Sequence, residues 1–350
     1  MYKSKILLIV FLLGIGVLFY GCGQTTNSST TSGVTDPSHA PSNNDLTASS
    51  YVGSLTCKSC HGGDNADEMY MKWKNSVHGD SLTLTYTAKL DCALCHATGY
   101  KKTGGYTSGS GEANMFGVQC EECHGAGSQH VAAAQKNIAD KDTIKSLINK
   151  TPSSESTCGK CHRGRVFTVK IGSKYDSVVD LNNKTAVNAT IEAARLTSGS
   201  GRHPIHYRPN MAVIKGTGGY EYSGSTYTNS YHTAGISNTC VVCHFQNSDK
   251  AHNAEPSLNA CKACHTGATS FDISGRVTEI QGLLDTLQSE IKTYVASGKS
   301  VSAEAYTKAL WNLTLISKEA DAGKACAGVH NYKYAKQLLQ DAIDNFDPTL

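Results

Sequence analysis

The chain is poor in the residues that usually fill a protein interior. Two tryptophans in 350 residues, with aromatic residues at 7%, are a thin supply for a core built of side chains alone. An excess of charge of one sign is also missing: 32 basic and 29 acidic residues leave a formal net charge of +3. Neither that balance nor its distribution supports nucleic-acid binding. Long hydrophobic runs are absent apart from Ile6 to Phe19, and at about 14 residues this one is short for a bilayer span and typical of a secretory signal.

What the chain has instead is cysteine and histidine, 14 of each. Twelve cysteines and six histidines fall into one repeated unit, Cys-x-x-Cys-His. Its copies are Cys57/Cys60/His61, Cys92/Cys95/His96, Cys120/Cys123/His124, Cys158/Cys161/His162, Cys240/Cys243/His244 and Cys261/Cys264/His265; they are numbered one to six below. Disulfide scaffolds and zinc ribbons also use paired cysteines. Neither explains a histidine directly after every second cysteine, and shuffling this composition would give such a unit roughly 0.02 times per chain.

The unit is the attachment sequence of a c-type haem, in which two thiols form thioethers to the porphyrin and the adjacent histidine is the proximal iron ligand. Six covalently bound haem c groups are therefore expected. Porphyrin then supplies the missing apolar mass, with about 50 residues of chain wrapping each haem. Up to about twelve propionates would make the loaded protein acidic. Only Cys22 and Cys326 fall outside the units; for Cys326 a small buried thiol is the expectation.

Residues 1–21 read as a signal peptide of the lipoprotein type, with Lys3 and Lys5 before the apolar run and Gly21 just before Cys22. Cys22 is the expected lipidation site. Phe19 and Tyr20 depart from the commoner lipobox residues, and ordinary cleavage leaving a free thiol is the alternative. Residues 22–50 form a Ser/Thr-rich tether, suited to holding a domain off a membrane, with His39 solvated in it. Glycine rather than aspartate after Cys22 implies an outer-membrane lipoprotein facing the periplasm or the cell surface.

Residues 51–170 carry four units at spacings of 35, 28 and 38 residues. Residues 171–235 carry none and read as an insert of loops and short hairpins. Residues 236–270 carry the last two units, 21 residues apart. In 271–350 the pattern turns helical: Val277, Ile280, Leu284, Leu287, Ile291 and Val295 recur at spacings of three and four. A break at 297–300, a second helix over about 302–322 and a third over about 331–346 follow, with Gly323 and Gly328 as punctuation. The short connection predicts a C-terminal helical hairpin. A dimer contact through these helices stays open.

The stretches "CKSCH" with "WKNSVHG" (73–79), "CALCHATGY" (92–100) and "GVQCEECHGAGSQH" (117–130) resemble the superfamily of cytochrome c554, hydroxylamine oxidoreductase and pentahaem nitrite reductase. The C-terminal "GVHNYKYAKQLL" (328–339) resembles the histidine-bearing last helix of several members. The resemblance implies a mainly α fold with much irregular loop, organised around closely packed haems. Two more haems than the tetrahaem member and a long insert set the chain apart. So does the absence of the Cys-x-x-Cys-Lys unit that marks the catalytic haem of the nitrite reductases.

Eight histidines lie outside the units; His39 belongs to the tether, leaving seven for six distal positions. His78 and His130 fall in motifs shared with the family. His232, His252 and His330 come next, and of His203 and His206 the second is favoured as a ligand. The resemblance also implies that His130 serves the first haem, and "GAGS" after His124 suits a turn toward a neighbouring unit. Bis-histidine ligation gives low potentials and leaves no open iron site. The expectation is an electron carrier between a periplasmic donor and an outer-membrane or extracellular acceptor. Its partners would be other cytochromes or terminal reductases. A nitrite- or hydroxylamine-type enzyme with one open haem, and a subunit of a polymeric cytochrome wire, are the alternatives.

Overall fold

The computed structural model describes residues 49–62, 69–79, 90–107, 115–169, 175–180, 205, 208–245, 252–300, 304–319 and 325–347. The signal segment, Cys22, His39, His203, His206, Gly323 and part of the insert lie outside the described residues. The fold is mainly helical with much irregular chain. The first half is built of short helices: α1 (Ser54–His61), α2 (Met69–Lys74), α3 (Leu90–His96), α4 (Cys120–His124), α5 (Ser128–Lys136), α6 (Lys141–Ser146) and α7 (Gly159–His162). One antiparallel hairpin follows, β1 (Arg165–Val169) on β2 (Tyr175–Asp180), with Arg165 opposite Asp180 and an irregularity at Thr168/Val169. Then come α8 (Asn210–Ile214), α9 (Tyr231–Ala234), α10 (Thr239–His244) and α11 (Leu258–Lys262). The chain ends in α12 (Arg276–Ala296), α13 (Glu304–Glu319), the single turn α14 (Ala327–His330) and α15 (Tyr332–Asp344).

Side-chain cores are unequally shared between the two halves. Among the described residues around the first four units, the buried apolar cluster is Ala93, Ala97, Tyr106 and Met115. The C-terminal helices hold a far larger one, which takes in Ile280, Leu284, Leu287, Trp311, Leu315, Ile316, Tyr334, Leu338 and Leu339.

The long helix α12 starts where the Asp272 carboxylate accepts from Val277 N at 2.7 Å and Thr278 N at 3.2 Å. These are amides of its first turn that would otherwise lack acceptors. It stops at Gly298, whose φ of 74° suits glycine. Ile280, Leu284, Leu287 and Ile291 are buried, but Val295 is 45% exposed. Tyr294 takes the expected place of Val295, its ring 5.4 Å from Tyr306 and 5.3 Å from Phe346. A step of three or of four from Ile291 reaches Tyr294 or Val295, and the tyrosine ring is the one that packs on Tyr306 and Phe346.

Gly328 sits inside α14 rather than breaking the chain. A Cβ there would stand 2.8 Å from both Arg276 O and Val277 Cα, so only glycine lets α14 approach the start of α12. Two asparagines, both 0% exposed, fasten the loops onto these helices. Asn312 accepts from Tyr220 N at 2.7 Å and donates to Tyr220 O and Leu338 O. Asn331 accepts from Ser230 N at 2.8 Å and donates to Val213 O and Asn229 Oδ1.

Candidate haem-binding site

Units one, two, three and five lie on α1, α3, α4 and α10, each helix ending at the unit's histidine; α7 ends the same way at His162 of unit four. Unit six differs. Helix α11 stops at Lys262, and Cys264 and His265 follow in a turn whose two amides donate to Cys261 O at 3.2 and 2.8 Å.

Five of the six unit histidines face a second histidine from elsewhere in the chain. His61 faces His130 with ring centroids 6.1 Å apart, and His162 faces His78 at 6.2 Å. His124 faces His252 at 6.2 Å, His265 faces His232 at 6.3 Å, and His244 faces His330 at 6.4 Å. Two imidazoles on opposite sides of one metal, each with a nitrogen about 2 Å from it, have centroids about 6 Å apart. The spacing leaves room for an iron and a porphyrin plane between the rings.

The outer nitrogens are also fixed. Nδ1–H donates to a backbone carbonyl in His124 (Asn149 O, 2.6 Å), His130 (Ile144 O, 2.8 Å), His232 (Val329 O, 2.7 Å) and His244 (Ala254 O, 2.9 Å). His162 Nδ1 lies 3.3 Å from Asn210 Oδ1. A donor at Nδ1 leaves the lone pair on Nε2, the arrangement of a metal-ligating imidazole. Burial holds His78 and His162 down to about 4, and also lowers His61 and His252. The neutral form, which binds metal, is thereby favoured. His252 is presented from a left-handed backbone, φ 71°, an uncommon conformation for a residue with a side chain.

The sixth unit histidine, His96, closes α3, and its carbonyl accepts from Gly117 N at 3.0 Å. His206, the ligand expected from the sequence, falls outside the described residues beside the buried Ile205. Cys326 lies one turn before His330, whose amide donates to its carbonyl at 2.9 Å; it is half-buried rather than enclosed. No described cysteine is disulfide-bonded. Among the described residues no three His, Cys, Asp or Glu converge as a metal centre, so a zinc-ribbon cluster is not formed by them.

The twelve unit cysteines are not equally covered by the chain. Cys60 and Cys264 are exposed, whereas the other ten are half-buried. Both are second cysteines, of units one and six. The Ser59 hydroxyl lies 3.8 Å from the Cys60 thiol, and Cys264 stands past the end of α11. Cys57 is covered by its contact with Cys120 of unit three, whereas Cys60 and Cys264 lie at the surface. Exposure leaves both residues open to a porphyrin vinyl.

The units touch one another partly out of sequence order. The Cys57 and Cys120 thiols are in contact, joining units one and three; so are Cys95 and Cys161, joining two and four. Cys158 meets Cys240, and Ser154 Oγ accepts from Cys240 N at 2.9 Å, joining four and five. Asn238, at φ 53°, reinforces that seam by accepting from Ser154 N and donating to Pro152 O. Ser257 N donates to Cys243 O at 3.2 Å between five and six.

Sequence reasoning passed over the residues between the paired cysteines. Glu121, 1% exposed, accepts from Val52 N, Gly53 N and Gly127 N at 2.7 to 3.0 Å. It thereby pins the start of α1, and unit one with it, to unit three. Its burial raises its pKa, against the pull of those amides. Glu122 pairs with Lys160 of unit four and accepts from Gly99 N at 3.1 Å, just beyond unit two. Two adjacent acids inside an attachment unit were the signal available.

Six Cys-x-x-Cys-His units, five of them with facing imidazoles at metal-spanning distance, define a multihaem c-type cytochrome. Residues 56–125 match the family model described as cytochrome c554 and c-prime, and the similarity to that family model is confined to this segment. It is 28% identical over 139 residues to cytochrome c-554 of Nitrosomonas europaea; the match spans 32% of this chain and 57% of that protein, little more than half its length. Two solved structures align over most of the chain. The outer cell wall cytochrome OcwA is 16% identical, with 84% of this chain and 99% of that one covered and a TM-score of 0.30. The undecahaem cytochrome from the S-layer of Carboxydothermus ferrireducens is 14% identical, with 85% and 69% covered and a TM-score of 0.26. Among the described residues no helix is long and apolar enough to cross a membrane.

Proposed function

We propose that this chain is a hexahaem electron-transfer protein, each unit binding one haem between two histidines. The paired rings carry the reading. With an imidazole on each side of the iron no face is left for a substrate, and the reversible ferric/ferrous couple that haem supplies is used for electron transfer alone. The chain's own part is to hold the axial pairs: His61 with His130, His162 with His78, His124 with His252, His265 with His232, and His244 with His330. His96 would be completed by His206. Backbone carbonyls at Nδ1 orient the rings and raise their basicity. Ligation by histidine without methionine keeps the potentials low.

The contacts between units supply a route. It runs from unit one through three, four and five to six, with unit two joined at four. The polypeptide keeps these units within touching distance without consecutive units having to be neighbours. The ends at units one and six, where Cys60 and Cys264 are exposed, suit a donor on one side and an acceptor on the other. Both would be redox proteins such as other cytochromes or terminal reductases. Export by the N-terminal signal and lipidation at Cys22 would place the protein at the outer membrane, facing the periplasm or the surface.

The test is intact mass together with electron paramagnetic resonance. Six haems, all low-spin, and no spectral change on adding nitrite or hydroxylamine are expected. A high-spin haem that binds either would favour the enzyme reading. Labelling with a radioactive fatty acid, lost in Cys22→Ser, tests the anchor.

A further inference from the structure

The inner residues of two attachment units meet at the junction of the route. Glu122 stands between Cys120 and Cys123, and Lys160 between Cys158 and Cys161. Lys160 Nζ contacts Glu122 Oε1, with the Glu122 side chain 8% exposed and that of Lys160 34%. The other Glu122 oxygen accepts from Gly99 N at 3.1 Å, and the Lys160 carbonyl lies 4.0 Å from Cys95 Sγ. The pair is therefore wedged among units two, three and four. Haem attachment needs neither charge, since the thioethers come from cysteine and the axial bonds from histidine. Burying a carboxylate is costly, and a hydrophobic pair would fill the same space.

We propose that Glu122 and Lys160 set the potentials of the haems at this junction. A carboxylate beside a haem favours ferric iron, and an ammonium favours ferrous iron. Paired, they cancel, and the haems of units two, three and four stay close in potential, so that electrons cross the junction without a deep trap. The inference rests on these units carrying haem as proposed above. Left alone in partly buried surroundings, either charge would change the ferric-to-ferrous ratio at fixed ambient potential by roughly three- to tenfold.

The experiment is a spectroelectrochemical titration of the full-length, haem-loaded protein and its E122Q, K160M, E122Q/K160M and K160R variants. In E122Q a subset of the haems should titrate at higher potential, and in K160M at lower potential. The double variant should return close to the parent, and K160R should match the parent. Shifts of the same sign in both single variants, or none in either, would overturn the proposal, because a purely structural pair has no reason to move potentials in opposite directions. If E122Q does not accumulate folded, K160M still decides: a downward shift supports the proposal, and no shift or an upward one overturns it. Low-spin signals recorded on the same samples test the electron-transfer reading separately.

Discussion

The imidazole of His130 lies 6.1 Å from that of His61, with the ring planes inclined by 22°, although His130 follows the third attachment unit and His61 closes the first. Its Nδ1–H is held by the carbonyl of Ile144 at 2.8 Å, so the ring is supported from behind by the chain leading away from unit three. One short stretch, 117–130, thus bears on two units at once.

His130→Ala should remove one axial ligand without detaching any haem, because thioether bonds hold the porphyrin independently of the distal side. Intact mass should still show six haems, while electron paramagnetic resonance shows one converted to high spin. Loss of a haem, or an unchanged low-spin count, would contradict the assignment.

Glu121→Ala should destabilise the first half of the protein. Its carboxylate is the acceptor for Val52 N, Gly53 N and Gly127 N, and buried amides left without an acceptor cost about 1 to 3 kcal/mol each. A loss of roughly 3 kcal/mol or more is expected from these amides together. It should appear as a lowered thermal midpoint and as faster proteolysis near residues 49–53.

Asn331→Ala should weaken the other half. Asn331 links Ser230, Val213 and Asn229 to the base of α15, and that junction also carries His330 and faces His232. The loss should be about 2 to 4 kcal/mol, measured by denaturant unfolding. The signals of the haems at units five and six should broaden with it.

Asp272 gives a pH dependence of known sign. Its carboxyl is held below the ordinary range by the Thr278 hydroxyl, and then by the Thr278 and Val277 amides. A carboxyl whose native pKa is depressed binds fewer protons folded than unfolded at mildly acid pH. Its contribution is complete above the unfolded value of about 4 and is lost as pH falls through the lower native value. Asp272→Ala should therefore lower the thermal midpoint at neutral pH and leave it unchanged in strong acid. Thermal melts across the acid range should show the two proteins converging at the acid end.

The helical C-terminal region was largely legible because its signal is local: a 3.6-residue period places Ile280, Leu284, Leu287 and Ile291 on one face whatever surrounds them. The error at Val295 shows where locality ends. Which of two adjacent residues, Tyr294 or Val295, is buried depends on Tyr306 and Phe346, which the period does not contain. Glu121 and Glu122 went unread for the same reason, since their partners Val52, Gly53 and Lys160 come from other units. The exposure of Cys60 and Cys264 was equally invisible, because all twelve unit cysteines have the same local pattern and differ only in what packs on them.

The sequence by itself determined where haem can attach, because thioether chemistry and the proximal ligand need only five consecutive residues. It also determined the number of histidines left over. Only the tertiary structure decided which histidine faces which, and in what order the units touch. His252 between units five and six faces His124 of unit three, and His330 near the C-terminus faces His244 of unit five. A distal position is defined across a porphyrin plane rather than along the chain, and spacing in sequence carries no record of that direction.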